Sequence, residues 1–186
     1  MSFEKTLSHT LTFEGGYVND PADSGGETFR GVSRRNNPNW AGWPLIDAAK
    51  KSVGTSAAAI NKFFQGNQNM ADLVASIYQQ NYYAPVAKLG APELATDKAF
   101  DAAVNVGVGQ AVKFAQAIVG TAADGAIGPK TLAAVADYFR QSGAVGKFLA
   151  AFCKAQEAFY RGIVSRKPSQ AKFLNGWLRR AAWLPE

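Results

Sequence analysis

The sequence predicts a mainly α, two-lobed single domain with one small β-hairpin near its amino-terminal end. Three observations carry that prediction. Apolar residues recur at helical spacing along most of the 186 residues. Residues 17–32 are rich in turn formers and end in a candidate short strand. The prolines and glycine of "YYAPVAKLGAP" break the helical pattern near the middle of the chain.

In the first element Phe3, Leu7, Leu11 and Glu14 recur at helical intervals, and Gly15-Gly16 stops the helix. The Asn-, Asp-, Pro-, Ser- and Gly-rich stretch that follows reads as a β-hairpin region, with "TFRGV" as a short strand. "NNPNWAGWP" is a loop whose Trp40 and Trp43 either stack on sugar rings or pack across a lobe interface. Residues 45–65 give one or two short helices around the breaker Gly54. Residues 70–81 form an amphipathic helix with Met70, Leu73, Val74, Ile77 and Tyr78 on one side. The lobe boundary is placed at "YYAPVAKLGAP", so residues 4–88 form one segment and residues 89–182 a second, helical lobe packed against it as one globular unit.

In that second lobe residues 93–106 read as helix. Residues 108–119 are apolar nearly all round, the mark of a buried central helix. Pro129 suits a first helical turn, where its missing N–H is harmless, and Leu132, Val135 and Phe139 then face inward. Residues 144–164 form a long helix. In the last helix, about 170–183, Leu174, Trp177, Leu178 and Ala181 oppose Lys172, Arg179 and Arg180.

Composition narrows the function. The single cysteine, Cys153, excludes an intrachain disulfide and a cysteine-built zinc site. The single histidine, His9, lies inside the first helix with no turn to present it, which argues against a histidine-dependent nucleophile. There is no phosphate loop, no metal-ligand cluster and no aromatic-basic nucleic-acid module, so neither a cofactor nor a nucleic-acid partner is expected. The start lacks a basic, apolar secretion signal. Of the net charge of +6, residues 151–186 contribute seven basic and two acidic side chains. Such a tail either keeps a solvated face or meets a polyanion, an anionic outer-membrane surface or wall polymer among them.

Glu14 is the candidate for chemistry. On a helix face with Leu7 and Leu11 its carboxyl group points toward a core or cleft floor, at the negative end of the helix. Both conditions favour the neutral acid, and the two glycines let another chain approach it. That describes a general acid, as a glycosidase requires. A glycosidase also needs a second group, roughly 6.5–9.5 Å away when it inverts and about 5–5.5 Å when it retains. Asp20, Asp23, Glu27 and Thr28 all lie in the hairpin region. Asp20, before Pro21, fits a turn; Asp23, before Ser24-Gly25-Gly26, is the better placed carboxylate, and Thr28 would orient the attacking water.

"FEGGYVNDPADSGGETFRGV" resembles the amino-terminal signature of the glycoside hydrolase family 108 muramidases, a group of phage and prophage endolysins and secretion-linked lysozymes. "YYAPVAKLGAPELATDKAFDAAVNVGVGQAVKFAQAIVGTAADGAIGPKTLAAV" resembles the family's carboxy-terminal segment, a predicted peptidoglycan-binding region. The resemblance covers roughly residues 4–180. It implies a lysozyme-like fold and cleavage of the β-1,4 bond between N-acetylmuramic acid and N-acetylglucosamine in peptidoglycan, with Glu14 as the catalytic acid. Glu14 and Asp23 have eight residues between them, as the Glu–Asp pair has in similar phage lysozymes; four residues separate Asp23 from Thr28, one fewer than there.

Three further residues are candidates for glycan contact. Tyr17, after the glycines, either touches sugar or fixes the turn. Asp101 and Asn105 continue a stripe from Asp97 at intervals of four, which either lines the groove or forms a solvated face. The expected protein is a monomeric muramidase made in the bacterial cytoplasm and acting on the periplasmic wall after release. The alternatives are a lytic transglycosylase on the same bond, and a non-enzymatic cationic protein acting through residues 151–186.

Overall fold

The computed structural model describes residues 3–19 and 26–186. Packing divides the chain into two compact units, Leu7–Gln80 and Met1–Thr6 with Asn81–Glu186. Helix α1 runs Phe3–Leu11 and is shorter than its apolar spacing predicts. The Thr12 hydroxyl bonds back to the His9 carbonyl at 2.7 Å, and Thr12, Phe13 and Glu14 make tight bonds to residues three back. The chain therefore winds down before Glu14, which follows the helix rather than ending it.

In the first unit three short antiparallel strands follow: β1 Tyr17–Asn19, β2 Glu27–Phe29 and β3 Val32–Ser33. "TFRGV" is thus two strands and their turn. Tyr17 pairs with Phe29 and Phe29 with Val32, and this row is the buried face, each residue at most 3% exposed. Helices α2 Gly42–Val53, α3 Ala57–Phe63 and α4 Gln68–Tyr78 complete the unit. Ser56 and Asn67 cap α3 and α4 through their side chains. Trp40 and Trp43 lie edge to face at 5.0 Å. Their indole N–H groups are spent on the Leu73 and Asn37 carbonyls, so the pair belongs to this unit's core.

In the second unit α5 Ala84–Ala87 leads to α6 Glu93–Val106, α7 Val108–Val119, α8 Pro129–Phe139, α9 Ala144–Arg166 and α10 Ala171–Ala182. The central helix is α6, not α7. Every residue from Ala95 to Ala103 on α6 is buried, because its alanines let neighbouring helices approach on all sides. On α7 the buried set is confined to Ala111–Val112 and Phe114–Gln116. Leu132, expected inside, is 42% exposed, whereas Val135 is buried. Phe114, Phe148 and Phe152 form an aromatic cluster with centroids 5.5–5.6 Å apart.

The polar residues of α6 from Thr96 to Asp101 are therefore internal. Lys98 is fully buried and donates to the carbonyls of Ala181 (2.8 Å) and Trp183 (2.7 Å), satisfying the end of α10. Burial, above all, lowers its pKa. Asp97 has no exposed surface. Burial pushes its carboxyl up to about 6 against the opposing bond from Thr6. An ordinary aspartate ionises near 3.8. Below that pH the group is protonated in both folded and unfolded chains and costs nothing. As pH rises toward 6 the folded chain keeps a proton that the unfolded chain releases, so stability falls. Above 6 the cost is complete, about 3 kcal/mol. Asp97→Asn is expected to remove this slope: in chemical unfolding, its advantage over wild type should grow between pH 4 and pH 7.

Candidate active site

The turn joining β2 to β3 has two central residues, Arg30 at φ 45° and Gly31 at φ 77°. This is the primed turn whose twist matches paired strands, and it favours Asn-Gly or Gly-Gly. Arginine there carries a penalty of roughly 1 kcal/mol. The turn is pinned from two directions. The Arg30 N–H donates to the Gly16 carbonyl at 3.1 Å, and the Tyr78 hydroxyl, from α4, donates to the Arg30 carbonyl at 2.9 Å. A Cβ on Gly31 would lie 2.3 Å from Tyr78 Oη and 3.0 Å from Glu14 Oε2. Only glycine lets the hairpin tip press against the Glu14 carboxylate.

Glu14 opens on a cleft of about 720 Å³ within this unit, whose walls include Ser8, Leu11, Arg30, Asn61 and Lys62. The double glycine beside it has two roles. Gly15 has open space where a side chain would be; a Cβ on Gly16 would lie 2.5 Å from Asn61 Oδ1. Asn61, on α3, uses that approach to accept the Tyr17 N–H at 2.8 Å. It thereby fixes the chain as it leaves the glycines and enters β1.

The structure distributes the other hairpin residues differently from one another. Asp23 and Asp20 lie outside the described residues. Glu27 is consumed structurally. It accepts from Tyr17 Oη at 2.8 Å, pairs with Arg34 at 2.7 Å and contacts Lys50. Arg34 also grips Asp47 with two bonds, 3.1 and 2.7 Å, which hold the Asp47 carboxyl below the usual carboxylate range. Thr28 lies in the cross-strand row with Val18 and Ser33, half-exposed, on the opposite face of β2 from Phe29.

Of the three candidates for substrate contact, Tyr17 and Asp101 are buried and Asn105 is exposed. Tyr17 is 2% exposed; burial, then its bond to Glu27, raises its phenol pKa. It fixes the turn. Asp101 is fully buried and ion-paired with Arg180 at 3.1 Å, and its carbonyl accepts from the same guanidinium. Asn105 accepts from Tyr160 Oη at 2.7 Å. Arg180 correspondingly leaves the basic face of α10 and is 3% exposed. Among the described residues no three His, Cys, Asp or Glu side chains converge as metal ligands, and no helix is long and apolar enough to cross a membrane.

Sequence reasoning missed Arg30, Tyr78, Asn61 and Lys62. A two-residue turn ending in glycine between Phe29 and Val32 carried a readable hairpin signal. Asn61 and Tyr78 carried none, since they reach the site from helices 44 and 48 residues away from their partners. The Asp124-Gly125 turn is held by a side chain from α7, eight residues before it. The buried Gln116 donates to Asp124, Ala126 and Thr131 and accepts the Gly125 N–H at 2.8 Å.

A carboxylate walled by a small sheet and short helices, in a chain otherwise built of helices, is the framework of a lysozyme-like glycosidase. A family model described as Glycosyl hydrolase 108 matches residues 7–107, and the chain belongs to that family. A second, described as Predicted Peptidoglycan domain, matches residues 110–182. The two together make the chain a glycoside hydrolase acting on peptidoglycan. Among solved structures it is similar to one titled "Structure of Brucella abortus SagA", with 28% identity and a TM-score of 0.62, over 97% of this chain and 89% of that one. A comparison with curated proteins gives no match. The fold is mainly α and lysozyme-like.

Proposed function

We propose that the protein is an N-acetylmuramidase that hydrolyses the β-1,4 bond between N-acetylmuramic acid and N-acetylglucosamine, with Glu14 as general acid. The observation that carries this reading is the Glu14 carboxyl group on the wall of a 720 Å³ cleft, with Gly31 packed against it. Glu14 gives its proton to the glycosidic oxygen, and the C–O bond to the leaving sugar breaks. Water attacks the anomeric carbon and yields its proton to a second carboxylate. Asp23 is that carboxylate in this reading, supported by its spacing from Glu14, and Thr28 orients the water. Asp20 is the alternative. Glu27 is not, because Arg34, Lys50 and Tyr17 already engage it.

In this reading the enzyme is an endolysin that reaches the periplasmic wall after release and works as a monomer. The exposed Lys172, Arg179 and Phe173 of α10 support contact with an anionic outer-membrane surface. Mass spectrometry of digested sacculi tests the reaction. The expected products end in reducing N-acetylmuramic acid. Products about 18 Da lighter, the 1,6-anhydro sugar left when no water enters, would instead establish a transglycosylase. Asp23→Asn should abolish product formation, with Asp20→Asn close to wild type.

A further inference from the structure

We propose that Arg30 and Lys62 form a carboxylate-binding subsite in the cleft that reads the stem peptides of peptidoglycan, so that peptide-bearing glycan is cut in preference to bare glycan. The inference rests on the muramidase reading above and assigns it a substrate class.

The first observation is the backbone of Arg30. It holds a left-handed conformation, φ 45°, that arginine disfavours and that asparagine or glycine would adopt with little strain. Strain of this kind, held in place by its surroundings, points to a side chain kept for what it does. The surroundings hold it firmly: Gly16 takes its N–H, Tyr78 takes its carbonyl, and Gly31 beside it is wedged against Tyr78 and Glu14. The root of the guanidinium is therefore fixed next to the reacting carboxylate.

The second observation is how the cations of this unit are used. Arg34 and Lys50 are committed to Glu27 and Asp47. Arg30 is not in an ion pair among the described residues; its guanidinium lies 5.7 Å from the Phe29 ring. Lys62, exposed on α3, is likewise unpaired among the described residues. Both line the cleft with Glu14, so two cations and one carboxylate share it. An N-acetylated glycan is neutral once the lactyl carboxyl group is amide-linked to peptide, which leaves the free carboxylates on the stems. A guanidinium fork and an ammonium are suited to bind them.

The test uses the full chain on two substrates from the same sacculi: intact strands, and strands stripped of stem peptides by an amidase and then amidated at the lactyl carboxyl groups that the amidase exposes. Wild type should show a kcat/KM at least about tenfold higher on the intact material, as expected for charge-assisted hydrogen bonds. Arg30→Asn with Lys62→Gln should collapse that ratio toward one. Arg30→Asn alone should melt no lower than wild type, since asparagine accepts the turn, so a lost ratio cannot be ascribed to unfolding. An unchanged ratio, or no wild-type preference, overturns the proposal. Glu14→Gln separates the two readings: if it stays active on both substrates, the muramidase assignment has failed, whereas a dead Glu14→Gln beside an unchanged Arg30 ratio removes only the subsite.

Discussion

Glu14→Gln is expected to fold as wild type does, still sediment with sacculi, and clear them at least about 100-fold more slowly. The amide nearly reproduces the shape of the carboxyl group, so the contact with Gly31 and the pinned turn survive. It cannot surrender a proton to a departing sugar oxygen, and general acid catalysis contributes roughly 10²–10⁴ in rate. Turbidity clearing, paired with a melting curve and a pelleting assay on the same preparation, checks all three statements. Undiminished clearing would transfer the activity to the cationic residues 151–186 and make the protein a wall- or membrane-active agent rather than an enzyme.

The largest stability effect is expected at the pair buried in the second unit. Arg180→Met leaves Asp101, with no exposed surface, without its guanidinium partner. Stranding a buried charge costs about 3–5 kcal/mol, which lowers the melting temperature by on the order of 10 °C in a chain of this size. Adding Asp101→Leu should recover most of that loss, because two apolar groups of similar volume replace an ion pair with little net change. Differential scanning calorimetry of the two single variants and the double variant gives the comparison. If the double variant is no better than Arg180→Met, packing rather than charge governs the site.

How far the fold was readable depended on where the controlling interaction lay. The bounds of α6 and α7 follow from Pro92, Gly107 and Gly120, which act within a residue or two of the positions they control. The apolar repeat continues on paper to Glu14, three residues beyond the end of α1, because it carries no sign that the Thr12 hydroxyl bonds back to the His9 carbonyl. Spacing alone sets Asp97, Asp101 and Asn105 on a groove or in solvent; Asn105 is exposed, whereas Asp97 and Asp101 are buried, and a lone helix gives no sign of the cation 79 residues on from Asp101. Spacing sets Arg180 on the wetted face of α10 for the reciprocal reason, and it is buried. Glu14 stood out through its own neighbours, Gly15 and Gly16. The Arg30–Gly31 turn shares that local chemistry, but its relation to Glu14 depends on Tyr78, which no local pattern announces.

The seam between the two family matches, near residue 108, is not a seam in the packing. Helix α6 lies before it in sequence yet shares a unit with everything after it. Lys98 closes the terminus of α10, and Asp101 neutralises Arg180. Anyone wishing to graft the carboxy-terminal module onto another enzyme must therefore carry α6 along and cut near Asn81. A transplant begun at residue 110 would arrive with bare carbonyls, an orphaned guanidinium and a hollow where its middle helix had been.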